Sequence, residues 1–150
     1  QIDFKNENYF LLKDYSDMFL TSYEIFKSKP LTGVGNKNFR IECKKHINKY
    51  PKGCNTHPHN YYAQFMSENG LPGIVFILFS FIYFSMILFK NFLIKEIYYK
   101  NFIISSSISL ILIFQPFTTT GNFFNNWNLS LISLIFGFSL LKRKVNSGNI

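Results

Sequence analysis

Charge is what large parts of this sequence lack. Residues 71–89 (LPGIVFILFSFIYFSMILF), 102–117 (FIISSSISLILIFQPF) and 123–141 (FFNNWNLSLISLIFGFSLL) contain no Asp, Glu, Lys or Arg. A helix in contact with water keeps a polar stripe, so these segments are not ordinary solvent-facing helices. Nineteen helical residues rise about 28 Å, close to the roughly 30 Å of a bilayer's hydrocarbon layer. The other two runs also reach across if Tyr98, Tyr99 and Trp127 lie at headgroup level. A soluble core of three helices apolar all round is excluded by size, because 150 residues cannot wrap them. Three membrane spans are expected within residues 71–150.

Acidic residues are scarce too, 8 against 16 Lys plus Arg, for a formal charge of +8. Such a balance would suit nucleic acid if it formed a patch, so its placement decides. Lys90, Lys95 and Lys100 fall between the first and second runs, and Lys142, Arg143 and Lys144 follow the third. Residues 118–121 between the second and third carry no charge. By the positive-inside rule the basic connections are cytoplasmic, which places residues 1–70 outside the cytoplasm, in a periplasm where there is one. The partner implied is membrane lipid and no nucleic acid. Gln1 is not a start residue, and the basic, apolar, small-residue order of a signal peptide is missing. A fragment is expected, with earlier spans preceding it.

Residues 1–70 hold ten Lys plus Arg against seven Asp plus Glu, a net of +3 that is compatible with an anionic substrate. Residues 14–29 (DYSDMFLTSYEIFKSK) place Met18, Phe19, Tyr23 and Phe26 at helical spacing, with Asp14 and Asp17 at the start and Lys27 and Lys29 at the end. Pro30 closes this amphipathic helix. Gly33 and Gly35 then supply turn conformations; a dinucleotide fingerprint is excluded, since the preceding strand and third glycine are absent. An irregular basic stretch is expected over 41–53. Residues 60–69 form a short helix, with Gly70 at its C-terminal cap and Pro72 in the first turn of the membrane helix.

Only two cysteines occur, Cys43 and Cys54, both in the region placed outside. A disulfide is the simplest account, and closing so short a loop would contribute about 3 kcal/mol. Zinc is a rival, because Cys43-x-x-His46 and Cys54-x-x-His57 offer two Cys and two His. Free thiols are the third state. His-Glu-x-x-His does not occur, which removes the usual zinc-hydrolase helix. His57, His59 and Asn60 admit two readings. Asn60 can be a helix cap beside solvated imidazoles. Equally, the turn can join Lys37 and Arg40 in holding a lipid-linked phosphate at a helix N-terminus while a histidine manages a proton.

These residues resemble a known family. GVGNKNF at 33–39 and THPHNYYAQFMSENGLPG at 56–73 are similar to the large periplasmic loop of the O-antigen ligase and O-antigen polymerase superfamily of bacterial membrane proteins. The family's histidine motif is His, then Asn, Ser or Gln, nine residues, Gly, two residues, Gly. His59, Asn60, Gly70 and Gly73 match every fixed position, and the resemblance covers about residues 13–90. Lipid A-core ligases commonly continue with two threonines where this chain has Ile74 and Val75. The acceptor therefore stays open between lipid A-core, a growing glycan and a protein.

The resemblance implies an all-α, polytopic membrane fragment of the GT-C kind with a helical extracytoplasmic loop. It implies metal-independent, inverting transfer of an undecaprenyl-pyrophosphate-linked glycan to an acceptor hydroxyl at the outer face of the inner membrane, without a cofactor. His59 aligns with the catalytic histidine, and a neutral imidazole suits proton acceptance. Beside that resemblance, charge and proximity in sequence suggest that Arg40 and Lys37 contact substrate, and the histidine turn adds His57 and Asn60; Gly33, Gly35, Gly70 and Gly73 are expected to be structural, as are Cys43 and Cys54 if they pair. The family's pyrophosphate-holding arginines lie in an earlier loop that these residues do not include, so the fragment alone is expected to be inactive. The alternative is a transporter or flippase whose outer loop only binds glycan or lipid phosphate.

Overall fold

The computed structural model describes residues 7–93 and 100–140. Lys95 and the basic cluster Lys142, Arg143 and Lys144 lie outside the described residues. All regular structure among the described residues is helical: α1 (Glu7–Ser28), α2 (Phe39–Glu42), a 3-10 turn (Cys43–His46), α3 (Tyr61–Phe92), α4 (Lys100–Phe114) and α5 (Asn126–Ser139). The stretch expected to be irregular thus contains two short helical turns. Their tight local bonding leaves Phe39 and Cys43 pointing inward, where both are fully buried with Ile25 of α1.

α3 organises the molecule. Asn60 caps it in an extended conformation, its Oδ1 accepting from Ala63 N at 3.1 Å. The helix breaks at Gly70, whose φ of 67° and ψ of −149° belong to a region that only glycine occupies readily. The hydrogen bonds that the break releases can be followed one by one. Pro72 has no N–H to offer Glu68 O, and Leu71 N turns away to Pro30 O at 2.8 Å. The freed carbonyls of Ser67 and Glu68 accept instead from Val34 N at 3.0 Å and Gly35 N at 2.8 Å. The turn at 30–35 is therefore docked backbone to backbone on the α3 break. A Cβ on Gly70 would lie 2.6 Å from Pro30 O, one on Gly33 would run into the Glu68 carbonyl, and one on Gly73 would sit 2.6 Å from Phe65 O.

α1 buries a different face from the one its aromatic spacing suggests. Asp17, Met18, Thr21, Ser22 and Ile25 point inward, whereas Phe19 and Tyr23 are 50% and 45% exposed. The reason is a close approach. Gly53 packs directly on Thr21, Lys52 N donates to Asp17 Oδ2 at 3.2 Å, and only small side chains fit between loop and helix.

Of the three charge-free runs, one forms a helix long and apolar enough to cross a membrane among the described residues, and it is α3. Only 22% of its most apolar window is buried, which separates it from the core helix of a soluble protein. α4 and α5 have 15 and 14 residues, or about 22 and 21 Å of rise. α4 stops at Phe114 because Pro116 disfavours helical backbone at Gln115, and α5 starts where Asn125 Oδ1 caps Trp127 N at 3.2 Å. Tyr61, Phe65, Ile77 and Phe84 of α3 pack with Leu110, Phe114 and Phe123 into the main core.

Candidate functional site

The histidine turn lies where α3 begins. Among the described residues, two non-glycines have positive φ, Lys37 at 62° and His59 at 56°. Side chains with a Cβ occupy this region at a cost of order 1–3 kcal/mol, and such strain concentrates at functional positions. Backbone contacts hold His59 there: its carbonyl accepts from Thr120 N at 2.8 Å, and the next residue is the α3 cap.

Asn55 orients the His59 ring. Asn55 Oδ1 accepts from Thr56 N at 2.7 Å, which turns its Nδ2 toward His59 Nε2 at 3.1 Å. An amide nitrogen can only donate, so the lone pair of the neutral His59 imidazole is on Nε2 and the proton on Nδ1. The nitrogen able to take a proton thus faces an exposed amide that a hydroxyl can replace. The His57 ring lies 4.1 Å from that of His59, with its own Nδ1 2.9 Å from Thr56 Oγ1. Burial pushes His57 below the ordinary imidazole value, and the neighbouring His59 adds to this. The Thr120 backbone opposes the shift, although His57 Nε2 has no hydrogen-bond partner of good geometry among the described residues.

Behind this turn runs a buried polar chain absent from the sequence-level reading. Glu68, fully buried, accepts from Phe39 N at 3.1 Å and from Gln64 Nε2 at 3.0 Å. Gln64 Nε2 also donates to Asn122 Oδ1 at 2.8 Å, and its Oε1 accepts from Phe123 N at 3.0 Å. Asn60 completes the tie, its Nδ2 donating to Pro116 O at 2.7 Å. The segment between α4 and α5 is thereby fixed against the first turns of α3. Apart from the Gln64–Glu68 bond within α3, these bonds span 29 to 59 positions and no periodic pattern signals them; Gln and Glu on an otherwise apolar helix face were the available hint.

Lys37 and Arg40 are exposed and lie together, facing Asn122, Asn125 and Asn126 across an open pocket of about 290 Å³. They do not share hydrogen bonds with His57 or His59. The connection is through the chain, since Asn122 is two residues from Thr120, which holds the His59 carbonyl. Cys43 and Cys54 are joined as a disulfide. With both sulfurs in one bond, the two-Cys, two-His zinc arrangement is not formed. The bond anchors Cys54 immediately before Asn55, and so steadies the residue that holds the His59 ring.

A long, largely exposed apolar helix that opens in a strained histidine turn over a buried amide and carboxyl network defines the class: a helical protein with one helix long and apolar enough to cross a membrane. Residues 12–78 match the family model described as O-Antigen ligase, which is consistent with the resemblance carried by His59, Asn60, Gly70 and Gly73. The match carries with it O-antigen ligase or polymerase function and glycosyltransferase-like activity in general terms, on glycan and lipid-linked substrates. No curated protein and no solved structure matches the chain.

Proposed function

We propose that the protein transfers a glycan from an undecaprenyl-pyrophosphate carrier to an acceptor hydroxyl, as an O-antigen ligase or polysaccharide polymerase. The reaction takes place at the outer face of the bacterial inner membrane, with residues 1–70 periplasmic and α3 crossing the bilayer from Gly70 onward. α4 and α5 are the shorter returning spans of a multi-pass protein, extended by the apolar residues beside them. The observation that carries this reading is His59: a strained, backbone-clamped histidine inside the segment matched by the family, at the N-terminal end of the long apolar helix.

The acceptor oxygen attacks the anomeric carbon on the face opposite the carrier, forming the new glycosidic bond with inversion. The bond from that carbon to the phosphate oxygen breaks, and the carrier pyrophosphate leaves with the electron pair. His59 Nε2 receives the hydroxyl proton once the acceptor replaces Asn55 at that atom, so no metal is required in this scheme. An apolar pocket of about 680 Å³ between α3 and α5, lined by Phe76, Phe79, Tyr83, Ile132 and Phe136, reaches Phe123 beside the buried network. Its position supports a lipid-linked donor whose chain lies along the membrane helices while its head reaches the histidine turn.

The test is complementation of glycan transfer in cells by point variants of the protein. His59→Ala should lower transfer by a factor of about 100 to 10,000, with normal protein levels in the membrane. His46→Ala should leave it near normal, and His57→Ala should fall between. Retained transfer in His59→Ala together with loss in His57→Ala would move the catalytic role to the other ring.

A further inference from the structure

The open pocket between Lys37, Arg40, Asn122, Asn125 and Asn126 has no role in the proton transfer just described. Its lining is unusual for an accidental surface hollow. Lys37 comes from the turn before α2 and Arg40 from α2 itself, the three amides come from the end of the α4–α5 segment and the start of α5, and more than eighty residues of chain separate the two sets. Neither Lys37 nor Arg40 has an ion-pair partner among the described residues, whereas Lys27, Lys45 and Lys49 each meet a glutamate. Two uncompensated positive charges thus share a pocket with groups that cannot neutralise them.

The pocket is also held open by the fold. Asn122 Oδ1 accepts from the buried Gln64 amide and from Phe124 N at 2.9 Å, and Asn125 is the α5 cap. Across from them, Lys37 sits in its left-handed turn between Gly35 and Asn38, and Asn38 is bonded back to Val34 O at 2.9 Å. The backbone of the Lys37 turn and the Asn122 and Asn125 side chains are therefore held before any ligand arrives, which lowers the ordering cost of binding. About 290 Å³ is at the lower end of ligand-site volumes, room for one small polar group rather than a chain or an aromatic system. Primary amides both donate and accept, which suits the alternating needs of sugar hydroxyls. Arginine and lysine supply charge-assisted bonds to an oxyanion.

We infer that this pocket binds a single anionic sugar residue, one carrying a carboxylate or a phosphate, of the glycan that passes the histidine turn. The inference rests on the glycan-transfer reading for its biological setting, but not for its test. Arg40 and Lys37 hold the anion and the asparagines hold the hydroxyls. Because Asn122 is covalently close to Thr120, a sugar in this pocket lies beside the His59 turn without touching the proton-accepting nitrogen.

The test is a binding measurement on the protein in lipid nanodiscs, by titration calorimetry or ligand-observed NMR. The probes are methyl glucuronide, glucose 6-phosphate, neutral methyl glucoside and inorganic phosphate. At least one of the two anionic sugars should bind roughly tenfold or more tightly than methyl glucoside, and the preferred one identifies the anion. Arg40→Ala and Lys37→Met should each weaken that binding about tenfold, with Arg40→Lys recovering part of it, and Asn126→Ala should weaken both charged and neutral sugars. Arg40, Lys37 and Asn126 are exposed, so these variants fold. Methyl glucoside binding as tightly as the charged sugars would remove the anion from the proposal, and inorganic phosphate binding as tightly as glucose 6-phosphate would remove the sugar. Absence of binding by all four probes, or binding unaffected by Arg40→Ala, overturns the site altogether. His59→Ala should bind normally; binding that survives while wild-type transfer cannot be demonstrated would refute the transfer reading and leave this one standing.

Discussion

The two halves of α3 meet at the Gly70 break, and their surroundings differ as much as their hydrogen bonding. Before Gly70, Tyr61, Ala63, Gln64, Phe65, Ser67 and Glu68 are buried, and the buried positions include an amide, a hydroxyl and a carboxyl. After Gly70 only Gly73, Ile77, Ser80 and Phe84 are buried, while Val75, Phe76, Phe79, Ile82, Met86 and Phe89 are between 49% and 69% exposed. In water this is inverted, with polar groups inside and phenylalanines outside. The inversion is resolved if the halves meet different solvents. The first half encloses polar groups, each bonded to a partner, beneath a disulfide-closed loop. On the reading proposed above, the second would present to lipid a surface on which exposed Phe costs nothing. Gly70 and Pro72 lie at the change, where chain direction and hydrogen bonding can be reset together.

Breaking that junction should have the largest effect. Gly70→Ala forces a Cβ into a glycine-only backbone region and toward Pro30 O, Gly33 N and Leu31. Strain and overpacking together should cost about 4 kcal/mol, enough to deplete folded protein from the membrane. Gly137 in α5 has nothing within 4 Å of an added Cβ, so Gly137→Ala should be neutral or stabilising by up to about 1 kcal/mol. Immunoblots of membrane fractions and thermal aggregation of purified protein measure both. Equal behaviour of the two alanine variants would refute the backbone docking.

The second prediction concerns the apolar half. Phe79 is 64% exposed, and Phe79→Lys should cost about 3 kcal/mol if that surface meets the bilayer centre. In water the same change would be neutral or favourable. A glycosylation-site reporter of insertion decides between the two, and unchanged insertion would return the exposed face to water.

Next comes the disulfide, which belongs to the polar half alone. Closing the loop between Cys43 and Cys54, an eleven-residue separation, contributes about 2.8 kcal/mol in the chain-entropy picture. Cys54→Ser should destabilise residues 39–60 by roughly that amount and loosen Asn55, while insertion of the second half of α3 stays normal. Amide exchange reads the first effect and the insertion reporter the second. Coupled loss of both would show that the halves do not behave as separate units.

Much of this architecture could be read from local pattern. The helix near 14–29, the glycine turn, the Asn60 cap and the break at Gly70 each follow from residues within a few positions of one another. The direction of α1 could not be read so, because its aromatics and its small polar residues offer two faces, and the choice depends on Gly53 closing onto Thr21 from a distant loop. The same limit hid Gln64, Glu68 and Asn122, whose bonds form only when α2 and the α4–α5 segment come together. At the site, His59 was legible because its spacing to Gly70 and Gly73 is a sequence property. Asn55 was not, because its role depends on which way a side-chain amide turns.

The smallest expected effect separates two pH windows within the polar half. Burial and the neighbouring His59 hold His57 below its ordinary value of 6.5, so protonation is harder in the folded protein than in the unfolded chain. The folded state then binds fewer protons, and stability present in full above pH 6.5 declines as pH falls below it. Glu24 behaves as a depressed acid: bonds from Lys27 and Lys49 hold it at about 2 instead of 4.5, so its contribution is present above pH 4.5 and lost between there and pH 2. It is solvent-exposed, so salt should mute it. Amide-exchange protection factors, corrected for intrinsic pH dependence, should therefore fall slightly at residues 57–63 between pH 7 and pH 5.5. Protection near residues 24 and 49 should hold down to pH 4.5 and decline between there and pH 2. His57→Gln should flatten the first decline and leave the second untouched. A decline at residues 57–63 that persists in His57→Gln would assign the titration to another group in the turn, and the contrast between the two windows would have to be redrawn around it.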